Sequence, residues 1–406
     1  AMATGIDIRR EEFQFNGDNR ADKRTVFNAP FDDANALDNV SRDIRAVYAE
    51  FYLPLHRTFD ITLAGRYDDY SGFGSTTNPK VSFKWRPIDS LLFRGAYSTG
   101  FKVPSFNQLY NGVSEVQYTG LDLADPETCP SGRANQTVPG CETIRPVELF
   151  GGKETLEPEE STQKSFGLVF SPNEWFNIAL DWWQIERTNT IRSAPRDVLI
   201  QYYDLFRDNW IRDASGEIIQ IDRRFINSGG SLMSGVEVDI NFNGELAGGK
   251  WNLGLNGSWI ENFQTKALES LPYGNNLVGS YVRYYNLPIR WKHTLNFGWN
   301  RGNWTHNLSQ LYRDGYYDEY PVSVANGTYV PADWQQKVDS YTTYNYSVSW
   351  TGIPKLKLGF GIKNLFDEDP PFTAHQNDFA SGAAWEPRIA DPRGRAYTLL
   401  LEYNFY

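Results

Sequence analysis

Apolar and polar positions alternate in steps of two along most of this chain. Near its end Tyr397, Leu399, Leu401, Tyr403 and Phe405 fall on one side of an extended segment, while Thr398, Glu402 and Asn404 share the other with Leu400. The same arithmetic sets Tyr344, Tyr346, Val348 and Trp350 against Thr343, Asn345, Ser347 and Ser349. It also sets Leu356, Leu358, Phe360 and Ile362 against Lys357, Gly359, Gly361 and Lys363, and Val236, Val238, Ile240 and Phe242 against Glu237, Asp239, Asn241 and Asn243. The pattern predicts about fourteen half-buried strands. Helical periodicity competes only over Arg196 to Trp210, where a short amphipathic helix is expected inside a connection.

Alternation alone also fits a soluble sandwich. Tryptophan placement discriminates better: Trp251 and Trp259 lie on one face eight residues apart, and Trp291 and Trp299 repeat the spacing. That is about 26 Å along a strand, or about 20 Å along the axis of a barrel whose strands tilt by about 40°. This approximates the height of the apolar band in an outer-membrane barrel with aromatic rings at each water interface; tryptophans filling a soluble core are the alternative. Connection lengths give an independent test. Long ones at about 369–394, 318–338, 268–289, 192–225, 105–160 and 16–42 alternate with TGIPK, RGN, NGELAGG, SPNE, RPID and LHRT, and SGFGSTT is a small member of the long set. No repeat of about forty residues suggests propeller blades.

Composition narrows the classes. The 406 residues include 13 Trp, 24 Tyr and 25 Phe and carry a formal charge of −11. No stretch approaches the roughly 18 to 20 consecutive apolar residues of a membrane helix. No Lys/Arg cluster points to nucleic acid, which is not expected as a partner. The start, AMATGIDIRREEF, lacks the features of a signal peptide and reads as a processed, truncated or engineered beginning. The only cysteines, Cys129 and Cys141, are twelve apart in a polar segment. That suits a small disulfide-closed loop in an oxidising compartment, two free thiols being the alternative.

At this point particular stretches resemble the TonB-dependent outer-membrane receptors. YDDYSGFGSTTNPKVSFKWRPIDSLLFRGAYSTGFKVPSFNQLY (Tyr67 to Tyr110) is similar to that family's mid-barrel signature, and LEPEESTQKSFGLVFSP (Leu156 to Pro172) to the block that opens its next strand pair. INSGGSLMSGVEVDINFN (Ile226 to Asn243), LGFGIKNLFDEDPPF (Leu358 to Phe372) and DPRGRAYTLLLEYNF resemble its last blocks in the usual order. The resemblance implies an all-β, antiparallel transmembrane β-barrel in the bacterial outer membrane. Residues 1–406 would be a C-terminal portion, with about 14 strands of a family barrel of about 22, and with the N-terminal plug and first strands not present in this chain. It also implies partners: the TonB-ExbB-ExbD complex acting through that N-terminal part, the barrel assembly machinery, and lipopolysaccharide. Tyr403 and Phe405 would form the C-terminal assembly signal, with Tyr406 one extra residue on the other face.

Candidate chemistry is sparse. His56, His293, His306 and His375 are scattered, and no nucleophile or carboxylate pair stands at a cooperating spacing, so no catalytic residue is expected. His293 falls on the apolar face as an interface residue. Acidic runs such as DEDP and EPEE lack the ligand spacing of a calcium loop, so no metal site and no cofactor is expected. For ligand contact, aromatic and arginine residues gather in the long connections: Tyr202, Tyr203, Arg207 and Trp210 in one, Trp334 in another, Trp385 and Arg388 in the last. Aromatic rings stack on sugars or catechols, and guanidinium pairs with carboxylate or hydroxamate oxygens; loop packing is the alternative use for each. The expected function is an energy-coupled outer-membrane importer of a scarce large ligand, a ferric siderophore or an oligosaccharide. A passive channel and a soluble carbohydrate-binding β-protein are the alternatives, and no enzyme is expected.

Overall fold

The computed structural model describes residues 1–17, 36–282, 287–325, 327–375 and 384–405. The expected connection at about 16–42 lies largely outside them, as does Tyr406. Among the described residues fourteen strands form one antiparallel sheet in which each strand pairs with its neighbours in chain order. They are β1 (Met2–Phe15), β2 (Leu37–His56), β3 (Phe59–Tyr70), β4 (Gly74–Ile88), β5 (Leu91–Lys102), β6 (Glu159–Asn173) and β7 (Phe176–Thr188). The second half comprises β8 (Gly230–Leu246), β9 (Gly249–Lys266), β10 (Trp291–Arg301), β11 (Trp304–Arg313), β12 (Tyr341–Ile353), β13 (Leu356–Lys363) and β14 (Ala396–Tyr403).

Register carries the alternation across the whole sheet. One row, followed from strand to strand, reads Phe176, Phe242, Leu253, Phe297, Leu308, Tyr346, Ile362 and Tyr397. Shifted by a single residue, the adjoining row reads Asn177, Asn241, Gly254, Asn296, Ser309 and Asn345. In the first half Met2, Phe51, Leu63, Val81 and Tyr97 align likewise. A one-residue slip would exchange the two faces, so the pattern fixes the pairing. The turns fix it as well. At one end all six connections are two residues long, for example Ala247–Gly248 between β8 and β9, where both residues have positive φ. Such turns match the right-handed twist of the flanking strands, and glycine supplies the left-handed backbone without a Cβ clash.

Trp251 lies directly opposite Trp299, and Trp259 opposite Trp291. The four rings therefore sit at two levels of one face, as aromatic girdles require. Trp304 faces Trp350 at the lower level. Polar side chains on this face bond to one another. The Trp291 indole N–H donates to His293 at 2.8 Å, His293 meets Gln310 at 3.2 Å, and Gln310 reaches the Tyr344 hydroxyl at 2.8 Å. The opposite face carries ion pairs, among them Arg66 with Asp7 and Asp68, and Arg94 with Asp181. Lipid outside and water inside is the only solvent arrangement that suits both faces.

Among the described residues β1 pairs only with β2, and β14 only with β13. Ile6 is 76% exposed and Leu399 84%. Unpaired strand edges in hydrocarbon leave backbone groups unsatisfied at several kcal/mol each, so both edges require a pairing partner there. Tyr403 and Phe405 meet edge to face with centroids 5.0 Å apart at the foot of the last strand.

Candidate functional site at the outer loops

The described residues of five of the long connections fold into two bodies at the end of the sheet opposite the tight turns. The first combines residues 103–158 and 189–229. Its four-stranded sheet, in the order Trp210–Arg212, Ile218–Asp222, Val147–Phe150, Ser114–Gln117, stitches the two connections together. Leu123, Ala194, Leu199, Trp210, Ile218 and Ile221 form its core, and Cys129 and Cys141 are joined in a disulfide beside Ala124. Glu148 is buried between Arg196, 2.6 Å away, and Arg223, 2.9 Å away. A buried carboxylate needs such partners to remain charged.

The amphipathic segment is not one helix. It forms a helical turn and a half at Arg196–Gln201, followed by two 3₁₀ turns, Tyr203–Leu205 and Arg207–Asn209. These tight turns set Tyr202, Tyr203 and Arg207 beside Glu127 and Pro130 around an open hollow of about 410 Å³. The Arg207 guanidinium lies 5.3 Å from the Tyr203 ring centroid. The Tyr203 hydroxyl accepts from Arg212 at 3.1 Å. Arg212 in turn grips both oxygens of Asp125 at 2.6 and 2.7 Å. Burial pushes the Asp125 carboxyl up, but these bonds outweigh it and hold the group below the usual carboxylate range.

Trp210 corrects the sequence reading. It is 3% exposed, at the start of a short strand opposite Ile221, and it packs in the loop core rather than facing solvent. An aromatic in a long connection is as useful for holding the connection together as for touching a ligand, and composition does not separate the two uses.

The second body joins residues 267–282, 287–290, 314–325, 327–340, 364–375 and 384–395. Leu287, Ile289, Tyr316, Val338, Tyr341, Ile389 and Ala390 form its core. Trp334 is partly buried against Tyr320, with ring centroids 6.3 Å apart. Trp385 precedes Glu386 and is half-buried, and Arg388 grips Glu386 at 2.7 Å while its guanidinium lies 5.3 Å from the Tyr281 centroid. The seven residues singled out for ligand contact thus fall into separate groups on two bodies, with Trp210 removed.

Sequence reasoning missed a buried polar centre in this body. His375, scattered from any partner in sequence, lies between Asp318 at 2.6 Å and Glu386 at 2.9 Å. All three are buried. The Tyr281 ring stacks on the imidazole with centroids 3.7 Å apart, and Thr373 donates to Asp318 at 2.7 Å. Burial disfavours the charged imidazole, but both carboxylates outweigh it and push its pKa up to about 9. Burial likewise opposes ionisation of Glu386, yet Arg388 and His375 pull it down to about 2. No local spacing announces the centre, because its members come from different loops. Of the other histidines, His293 and His306 bond to Gln310 and to the Tyr346 hydroxyl on the lipid-facing side.

The two bodies touch where Arg192 donates to the Ala267 carbonyl at 3.3 Å, and the Tyr273 hydroxyl ties the second body to the wall by donating to Glu186 of β7 at 2.8 Å. Such a wall, with tight turns below and folded loops above, invites comparison with known barrels. A family profile described as TonB dependent receptor-like, beta-barrel, matches residues 4–365. The chain belongs to the TonB-dependent receptors. It is accordingly an outer-membrane β-barrel chain. It is 22% identical over 369 residues to a probable TonB-dependent siderophore receptor, PirA, of Acinetobacter baumannii, covering 89% of this chain and 43% of that protein. The crystal structure of PirA from Acinetobacter baumannii superposes with a TM-score of 0.64 at 17% identity, covering 100% of this chain and 52% of the other. A variant of the ferric enterobactin receptor PfeA of Pseudomonas aeruginosa, solved with enterobactin, gives 0.65 at 15% identity, covering 99% and 51%. At these identities the structural likeness shows the fold. The chain spans about half the length of the relatives it matches.

Proposed function

We propose that this TonB-dependent receptor binds a ferric siderophore at its outer loops and imports it with energy supplied through TonB. The observation that carries the reading is the pair of folded loop bodies at one end of a lipid-facing wall, in a chain whose matched relatives are siderophore receptors. The Tyr202, Tyr203 and Arg207 hollow on one body and the Arg388 and Trp385 surface on the other supply rings for catechol stacking and guanidinium for anionic iron-binding oxygens. The same groups could stack on sugars, but the relatives favour the siderophore. The TonB-ExbB-ExbD complex would supply energy, the barrel assembly machinery would insert the chain through its last strand, and lipopolysaccharide would surround the outer rim. The test is uptake of radioactive iron by cells with and without the gene, across a panel of catecholate, hydroxamate and carboxylate siderophores, repeated in a strain lacking TonB. Uptake of one class that needs both the gene and TonB is expected. Uptake independent of TonB would favour a passive channel, and no dependence on the gene for any class would overturn the siderophore reading.

A further inference from the structure

The Asp318, His375 and Glu386 centre has no evident use in a loop that merely packs. Its members come from two connections, and Tyr281 adds a third. We propose that this centre is a proton-held latch that fastens three outer loops into one body and thereby fixes where Arg388 and Trp385 stand. His375 Nδ1 lies 2.6 Å from Asp318 and 2.6 Å from the Thr373 hydroxyl, and Nε2 lies 2.9 Å from Glu386. With the Thr373 hydrogen donated to Asp318, both ring nitrogens face acceptors, which the doubly protonated ring satisfies and a neutral imidazole, donating through one nitrogen alone, does not. Asp318 is further tied by Thr373 and by the Ala374 backbone N–H, at 2.7 Å each. Glu386 is tied by Arg388. Among the described residues, the charged and titratable groups around the ring are Asp318 and Tyr316 from the connection after β11, Glu386 and Arg388 from the one after β13, and Tyr281 from the one after β9. Among the described residues two anions and two cations balance at the centre, and loss of the imidazole proton leaves two buried carboxylates facing a neutral ring.

The pH dependence follows from geometry and linkage together. His375 titrates higher in the folded protein than its ordinary 6.5, so its contribution is complete below that value and is lost as pH rises to about 9. Glu386 titrates lower than its ordinary 4.5, so its contribution is present above that value and is lost as pH falls to about 2. The latch is therefore tightest in mildly acidic solution and loosens through the alkaline range, the reverse of a histidine switch that opens in acid.

The test uses the full-length receptor in detergent and does not depend on its ligand. Amide exchange of peptides covering 314–318 and 384–390, corrected for the intrinsic effect of pH, should lose protection by up to about tenfold per pH unit between 6.5 and 9. In His375→Gln that slope should vanish. Exchange of the imidazole C2 hydrogen in the unaltered protein reads the protonation state without any variant, and its midpoint should lie near 9. Asp318→Asn should move that midpoint down by at least one unit. A midpoint at or below 6.5, or a protection slope that is the same with and without His375, would overturn the latch.

Discussion

A single arginine placed on either side of the wall at one height should have opposite fates. Leu255 lies four residues from Trp251 and four from Trp259, hence about 13 Å along the strand from each girdle, or about 10 Å along the barrel axis. Its lateral neighbours are Ile240 and Leu295, so nothing polar stands opposite it. Leu255→Arg puts a guanidinium near the bilayer midplane and should cost about 2 to 4 kcal/mol, a folding constant lower by about 30-fold to about 1,000-fold. The next residue, Asn256, points the other way and stands opposite Asp239 and Thr294. Asn256→Arg enters water beside a carboxylate and should change stability by less than about 1 kcal/mol. The assay is reversible urea unfolding of the full-length receptor in lipid vesicles, followed by tryptophan fluorescence and by the heat-dependent gel shift of a folded barrel. Equal costs at the two positions, or a greater cost at Asn256, would refute the assignment of faces.

Other outcomes follow from the loops. Trp210→Ala should loosen the first body by about 3 to 5 kcal/mol because it empties the core, and limited proteolysis should then cut residues 189–229 while the wall stays intact. Cys129→Ser should lose about 3 kcal/mol of local stability for a loop of this length, read as faster nicking of 103–158 under non-reducing conditions. Arg207→Ala and Tyr203→Ala should each weaken siderophore binding by threefold or more if the hollow takes the ligand; binding unchanged in both would remove it from the proposed site. Arg212→Ala should leave Asp125 half-buried without its partner and cost about 3 kcal/mol or more of loop stability, against little change for the exposed pair of Arg207 with Asp204.

The wall was legible in the sequence because one physical rule acts on every strand. A side chain faces lipid or water, and the choice alternates with a period that residue types record directly, as in Val236 to Asn243 or Tyr397 to Asn404. The tight turns were legible for a related reason: a two-residue hairpin draws on few residue types, as Ala247–Gly248 and the Gly302 turn show. Strand ends were less so. NGELAGG read as a loop, yet β8 and β9 run through it to Leu246 and from Gly249. The loop bodies were hardly legible. Their contacts link residues far apart in the chain, so neither the Glu148 clamp nor the His375 centre leaves a local spacing to find. Trp210 shows the cost of composition reasoning there, since the same ring serves a loop core or a ligand surface and only its partner Ile221 decides.

Hydrocarbon touches one face of this sheet and water the other. Nitroxide labels placed singly from Trp251 to Trp259 in the membrane-embedded receptor read it directly through collision with oxygen, which partitions into lipid, and with a water-soluble nickel chelate. A strict period of two is expected, with oxygen favoured at 251, 253, 255, 257 and 259, nickel favoured at the positions between, and the oxygen maximum at 255. Nickel access at 255 equal to that at 254 and 256, or an oxygen maximum on the even positions, would contradict it.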